Sequence, residues 1–136
     1  MSRYATVPVA TSNRERLKQE HRRSAPLAEL YPRLSQLRVE FDFDDGTSRP
    51  PSVQTFHYFP AARCLFRYPC PCHACDGEFD LCGQVAEVVE QGSAARAPLM
   101  TLVCNGQRLR TPHERSACPV RADIRISATW RQGVLP

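Results

Sequence analysis

The chain has 136 residues, 42% of them hydrophobic, which is enough for one folded domain and argues against a second independent core. Its net charge of +4 arises in residues 1–33, where seven basic groups face three acidic ones, because residues 34–136 carry eleven of each. No stretch has the length and apolarity of a signal peptide or a membrane span. We therefore predict a cytoplasmic protein with no membrane contact.

We predict two parts: a basic N-terminal arm, residues 1–33, and a single folded domain, residues 34–136. Ser12 and Glu15 fit a capping box at the start of a helix. Leu17 is the only aliphatic residue in the stretch 14–23, so such a helix has almost no apolar face to bury. We predict an arm that is largely disordered or partly helical, and a helix that forms only against a partner.

Two strands are predicted to open the domain. Residues 37–44 alternate between apolar and charged side chains, which is typical of a strand with one buried face. Residues 53–68 are rich in aromatic and branched side chains and predict one strand with a kink or bulge at Pro60. We expect these two segments to pair as a long antiparallel hairpin.

A helix and two further strands follow. Asp80 is a good N-cap, the valines after it share one helical face, and Gly92 can end the helix. Residues 99–104 predict a short strand, and residues 120–130 alternate regularly. The order β-β-α-β-β predicts an α+β fold, with an antiparallel sheet of about four strands and one helix packed on it.

Seven cysteines in a cytoplasmic protein indicate metal binding or thiol chemistry, because structural disulfides are rare in that compartment. Cys72 and Cys75 form a C-x-x-C turn, in which two thiolates can point at one ion while backbone N–H groups donate to the sulfurs. If residues 99–104 pair with residues from 118 onward, Cys104 and Cys118 stand opposite each other. These four cysteines predict the closed arrangement of a structural zinc ion, and four thiolates favour zinc or iron over the hard cations.

Alternatives remain at several positions. Cys70 is an alternative to Cys72, which is favoured because it makes the shorter turn with Cys75. His113 is an alternative to Cys118, and His73 is expected to point to solvent. The remaining two cysteines, Cys64 and Cys82, are interpreted as small buried hydrophobic residues.

The stretch CHACDG, residues 72–77, resembles the zinc knuckle of zinc-ribbon proteins. The cysteine pair on the predicted hairpin resembles the second half of a ribbon, in which a strand hairpin supplies two ligands. The resemblance therefore covers roughly residues 70–120. A ribbon normally supplies a second C-x-x-C, whereas here thirteen residues separate Cys104 from Cys118. The resemblance implies a structural zinc ion, and no ribbon function is carried over.

We predict that the protein is not an enzyme. The sequence has no phosphate-binding glycine loop, no nucleophile elbow and no H-E-x-x-H helix. A metal held by four cysteines also has no open coordination position. A small zinc-binding interaction or regulatory module is therefore the favoured function.

A protein partner is favoured over nucleic acid, because the neutral domain lacks a strongly basic footprint. Nucleic acid is the alternative, through the arm and Arg108, Arg110 and Arg115. A thiol redox or redox-sensing protein using Cys72 and Cys75 is the alternative function. It is less favoured because the predicted helix begins beyond Cys75, so its N-terminus does not lower the pKa of either thiol.

Overall fold

A four-stranded antiparallel sheet forms the centre of the protein, in the order β2-β1-β8-β5. The computed structural model describes residues 9–44, 52–72, 75–92, 100–111 and 114–131, with side chains from residue 13 onward except at 109–111. The strands of the sheet are β1 (Leu34–Asp44), β2 (Ser52–Tyr58), β5 (Met100–Val103) and β8 (Arg121–Trp130). The predicted α+β class and four-stranded antiparallel sheet are confirmed.

Alternation explains the two faces of this sheet. On β1, Val39 and Phe41 are fully buried, and on β8 the same holds for Ile124 and Ile126. The pairing places Val39 opposite Ile126 and Phe41 opposite Ile124, so the two central strands, distant in sequence, build one apolar face. Their charged residues share the outer face, which is accessible to water.

Two small hairpins are inserted between the strands of the sheet. The first pairs β3 (Arg67–Pro69) with β4 (Glu78–Asp80), and the second pairs β6 (Gln107–Thr111) with β7 (Glu114–Ala117). The predicted continuous strand over 53–68 is therefore wrong beyond its first half. The chain turns after Tyr58, and β3 takes a local partner in β4 instead of extending the sheet.

The helices are α1 (Val9–Arg23), the single turn α2 (Leu27–Leu30) and α3 (Cys82–Gln91). Helix α3 packs on β8 with Val85 and Val88 buried, and it ends at Gly92, whose φ of 62° is readily available only to glycine. None of the helices in the described ranges has the length and apolarity needed to cross a membrane.

Helix α1 begins at Val9 rather than at Ser12, and it lies against β3. Leu17 is its buried anchor, with 4% of its surface exposed. Glu20 at one end is paired with Arg67 of β3 at 2.7 Å, and Asn13 at the other donates to the Gly77 carbonyl at 3.2 Å. The partner that stabilises this weakly amphipathic helix is thus the chain's own β3–β4 hairpin.

Candidate metal centre

Four buried thiols converge between the two small hairpins. The sulfur atoms of Cys70, Cys75, Cys104 and Cys118 all lie within 4.8 Å of one another, close enough to hold a metal ion. The Cys70–Cys118 pair is 3.9 Å apart and the Cys75–Cys104 pair 3.8 Å apart. A tetrahedral ion with metal–sulfur bonds of about 2.3 Å requires sulfurs about 3.8 Å apart. Disulfide bonds are only about 2.05 Å long, and these cysteines are free.

Strand pairing explains how the four residues meet. The Cys70 amide donates to the Gly77 carbonyl at 3.1 Å, which extends the β3–β4 ladder toward Cys75. The Cys104 amide donates to the Val120 carbonyl at 2.8 Å, which extends the pairing of β5 with β8. The predicted hairpin between residues 99–104 and 118 onward is therefore confirmed by this pairing, and it brings Cys104 next to Cys118.

Each of the four sulfurs accepts a hydrogen bond from the backbone N–H two residues further along. The Cys72 amide donates to Cys70 Sγ at 3.5 Å, and the Gly106 amide donates to Cys104 Sγ at 3.3 Å. The amides of Gly77 and Val120 do the same for Cys75 and Cys118. Such donors stabilise thiolates, so the backbone is arranged for the charged form of all four ligands.

The turns after Cys75 and Cys104 are two copies of one structure. Their sequences, CDGE and CNGQ, match the pattern C-[DN]-G-[EQ]. The Asp76 carboxylate accepts from the Gln107 amide at 2.9 Å, and the Asn105 side-chain oxygen accepts from the Glu78 amide at 3.0 Å. Each turn therefore satisfies a backbone donor of the other. Sequence reasoning missed this pairing, although the repeated pattern was a visible signal for it.

Glycine is required where the two turns touch. A Cβ atom at Gly77 would collide with Cys104 Sγ and lie 2.7 Å from the Gly106 nitrogen, and one at Gly106 would lie 2.5 Å from the Gly77 Cα. Neither backbone can yield without moving a cysteine. The close approach of these two glycines thus holds the two halves of the cluster together.

Burial dominates the protonation of the cluster. It raises the pKa of the Cys70 and Cys104 thiols above their usual range and that of Cys75 to about 12. Cys118 is the exception: burial opposes its ionisation, but the Val120 amide and hydrogen bonds with the neighbouring thiols outweigh burial and lower its pKa. A dication that drew the protonated thiols of the cluster into thiolates would therefore release protons.

The cluster differs from the predicted ligand set at one position, where Cys70 lies in place of Cys72. The residues Phe66, Tyr68 and Cys70 are all buried and alternate with partly exposed ones, so the strand directs Cys70 to the inner side. Cys72 lies beyond the strand, partly exposed, and its sulfur accepts a hydrogen bond from Arg108 Nε at 3.1 Å. The alternation through Cys70 was the signal that favoured it, whereas turn length alone favoured Cys72.

The other candidate residues have separate positions. Cys64 is buried, as predicted, and burial raises its pKa to about 11. Cys82 is exposed, so its interpretation as a buried residue is wrong: it begins α3, and its thiol donates to the Leu65 carbonyl at 3.3 Å. Arg115 is exposed on β7. The predictions for His73, for His113 and for the side chain of Arg110 lie outside the described residues.

Comparison of the chain with family models, curated proteins and solved structures gives no match.

Proposed function

We propose that Cys70, Cys75, Cys104 and Cys118 hold one structural zinc ion, and that the protein is a small zinc-stabilised interaction module. The convergence of four thiols at the spacing of a tetrahedral site carries this proposal. The ion would connect the β3–β4 hairpin, and through it α1, to the edge strand β5 and its neighbour β8.

The donor set favours zinc. Thiolates are soft ligands that suit zinc or iron and disfavour magnesium and calcium. Four thiolates leave a dication with a net charge of −2, which the four N–H donors and the guanidinium of Arg108, bound to Cys72, would partly offset. The paired turns support a zinc-ribbon-like arrangement of the ligands.

A structural role follows from coordination number and burial. Four protein ligands fill a tetrahedral zinc, so no position is left for a substrate or an activated water. The cysteine with the greatest exposure in the cluster, Cys104, is only 6% exposed. We therefore infer a module that binds a partner rather than an enzyme.

We infer that the partner is a protein. Within the described ranges the β6–β7 hairpin forms a two-stranded sheet of its own, and its exposed residues include Glu114 and Arg115, which carry opposite charges. A surface of mixed sign suits a protein, whereas a phosphate backbone calls for a continuous basic one. Salt-sensitive binding of a DNA or RNA duplex that Arg115→Gln weakens would favour nucleic acid instead.

Elemental analysis of protein purified without added metal tests the zinc site. We expect one zinc per chain in the wild type and in Cys72→Ser, and much less than one in Cys70→Ser. Cys72→Ser is the matched control, because the two cysteines share one turn and only Cys70 lies in the cluster. Cobalt substitution should give the visible absorption of tetrahedral thiolate coordination.

Other outcomes would contradict the proposal. Zinc well below one per chain in wild-type protein, with a reversible disulfide between Cys72 and Cys75, would support the redox function. Loss of zinc in Cys72→Ser but not in Cys70→Ser would show that Cys72 is the ligand instead of Cys70, as turn length predicts. An iron content of one per chain, with the absorption of ferric thiolate, would replace zinc by iron.

A further inference from the structure

A cavity of about 730 Å³ opens between α1, β3 and the end of the sheet formed by β2. It is separate from the cysteine cluster, since none of the four clustered cysteines lines it. Its volume lies within the roughly 300–1,000 Å³ of small-molecule sites.

Aromatic rings form the floor. The rings of Phe56 and Tyr68 lie 4.8 Å apart, and those of Tyr58 and Phe66 lie 5.3 Å apart. The hydroxyls of Tyr58 and Tyr68 are hydrogen-bonded to each other at 2.7 Å, so the polar ends of these rings satisfy one another. The floor is therefore aromatic and mostly apolar, with its two hydroxyls engaged in one hydrogen bond.

Phe66 is held in an unusual conformation. Its φ of 58° is in the left-handed region, which is unfavourable for a residue with a side chain. The Leu81 amide donates to its carbonyl at 2.8 Å, and its ring packs edge-on against Tyr58. Packing and pairing thus maintain a strained residue whose ring forms part of the cavity wall, which is typical of binding sites.

The wall contributed by α1 is basic. Arg14, Leu17, Lys18 and His21 fall on one face of the helix and line the cavity together. Arg67 lines it from β3, and no acidic residue of the described ranges is part of the lining. The cavity therefore combines an apolar floor with a cationic wall.

The cations differ in how far they are neutralised. Arg67 is paired with Glu20 at 2.7 Å and with Glu78 at 2.6 Å. Among the residues that the structure describes, Arg14 donates only to a neutral group, the Cys70 carbonyl at 3.2 Å, so its charge is not neutralised by them. Lys18 has one exposed pair with Glu15 at 3.4 Å, which solvent weakens. Arg14 and Lys18 are the groups available to an anion.

We propose that this cavity binds a small aromatic carboxylate, with the ring stacked on Phe56 and Tyr68 and the carboxylate paired with Arg14 and Lys18. A guanidinium matches a carboxylate in shape as well as in charge. Burial of the ring supplies the apolar contribution to affinity, and the two cations select an acid over a neutral ring. Binding there does not require the proposed zinc ion, although Arg14 donates to the Cys70 carbonyl beside the cysteine cluster.

A calorimetric titration of the full-length protein with 2-naphthoate tests the proposal. We expect saturable binding of one 2-naphthoate, at least about tenfold tighter than that of neutral 2-naphthylmethanol. Phe56→Ala should weaken the binding of both compounds. Arg14→Gln should weaken the binding of 2-naphthoate about tenfold and leave the binding of 2-naphthylmethanol unchanged. Arg23→Gln is the matched control, because helical spacing places Arg23 on the opposite side of α1.

Lys18→Gln provides a second charge-removal variant, needed because Arg14 also holds α1 against the Cys70 carbonyl. It should reduce 2-naphthoate binding selectively even if Arg14→Gln releases the helix. Equal affinity for the acid and the alcohol would overturn the proposal, as would equal losses in Arg14→Gln and Arg23→Gln. Self-association of the wild type that Phe56→Ala abolishes would also overturn it, because a second copy would then fill the cavity.

Discussion

Replacing Gly77 by alanine tests the close contact between the two C-[DN]-G-[EQ] turns. The new Cβ would meet Cys104 Sγ and would lie 2.7 Å from the Gly106 nitrogen, a separation that carbon atoms do not tolerate. Both neighbours are fixed, one as a cluster cysteine and the other as backbone. The turns must therefore move apart, which weakens the hydrogen bonds that Gly77 makes with Cys75 Sγ and with the Cys70 amide.

Gly77→Ala should lose stability because the added methyl group overpacks a site with no free space. Forced contacts of this kind lower the free energy of unfolding by about 1–3 kcal/mol. At roughly 4 °C per kcal/mol, the melting temperature of Gly77→Ala should fall by roughly 4–12 °C. Its zinc affinity, measured by competition with a chromophoric chelator, should fall as well, because folding and metal binding are coupled.

Gly83→Ala is the matched control, since the same added methyl group meets nothing within 4 Å at that position. Gly83 lies in the first turn of α3, so alanine there should raise the free energy of unfolding by about 0.5–1 kcal/mol. Urea denaturation of both variants measures the difference. Equal stability of Gly77→Ala and the wild type, with unchanged zinc affinity, would refute the proposed contact between the turns.

Two further predictions concern side chains outside the cluster. Burial raises the pKa of Tyr58 from 10.0 to about 12, so the fold favours its neutral form. The resulting stability is present below pH 10 and should be lost as the pH rises toward 12. Absorbance at 295 nm should report tyrosine ionisation in the same pH range in which circular dichroism reports unfolding. Ionisation of Tyr58 in a protein that stays folded would contradict this. With zinc bound, iodoacetamide at pH 8 should modify Cys72 and, more slowly, Cys82, whose pKa is raised to about 11 by partial desolvation and by the neighbouring Asp80 carboxylate. Peptide mapping that found the clustered cysteines modified first would contradict this.

Local patterns predicted a large part of the fold. The alternation in residues 37–44 and 120–130 identified β1 and the long strand β8 that pairs with it, because one face of each is buried. The helix ending at Gly92 was also predicted, since its apolar spacing and its C-terminal glycine are local features, but its N-cap is Leu81 and not the predicted Asp80, which ends β4 and accepts from the Cys82 amide. Such features depend on neighbours within a few positions, which the sequence displays directly.

The remaining parts of the fold depend on which distant segments pair with each other. The stretch 53–68 has strand composition throughout, but only its first half joins the sheet, because Arg67–Pro69 finds a nearer partner in Glu78–Asp80. Helix α1 has one buried aliphatic anchor, Leu17, and it is held by contacts with β3 and the turn after Cys75 that no local pattern predicts.

The opposition of Cys104 and Cys118 was predicted from the sequence, on the condition that the short strand 99–104 pairs with residues from 118 onward, and β5 does pair with β8. The position of Cys70 in the cluster was decided by tertiary structure. Two cysteines one residue apart have similar chemistry and compatible turn lengths. The β3–β4 ladder directs Cys70 inward and leaves Cys72 beside Arg108, since the orientation of a side chain is set by the strand that pairs with its own.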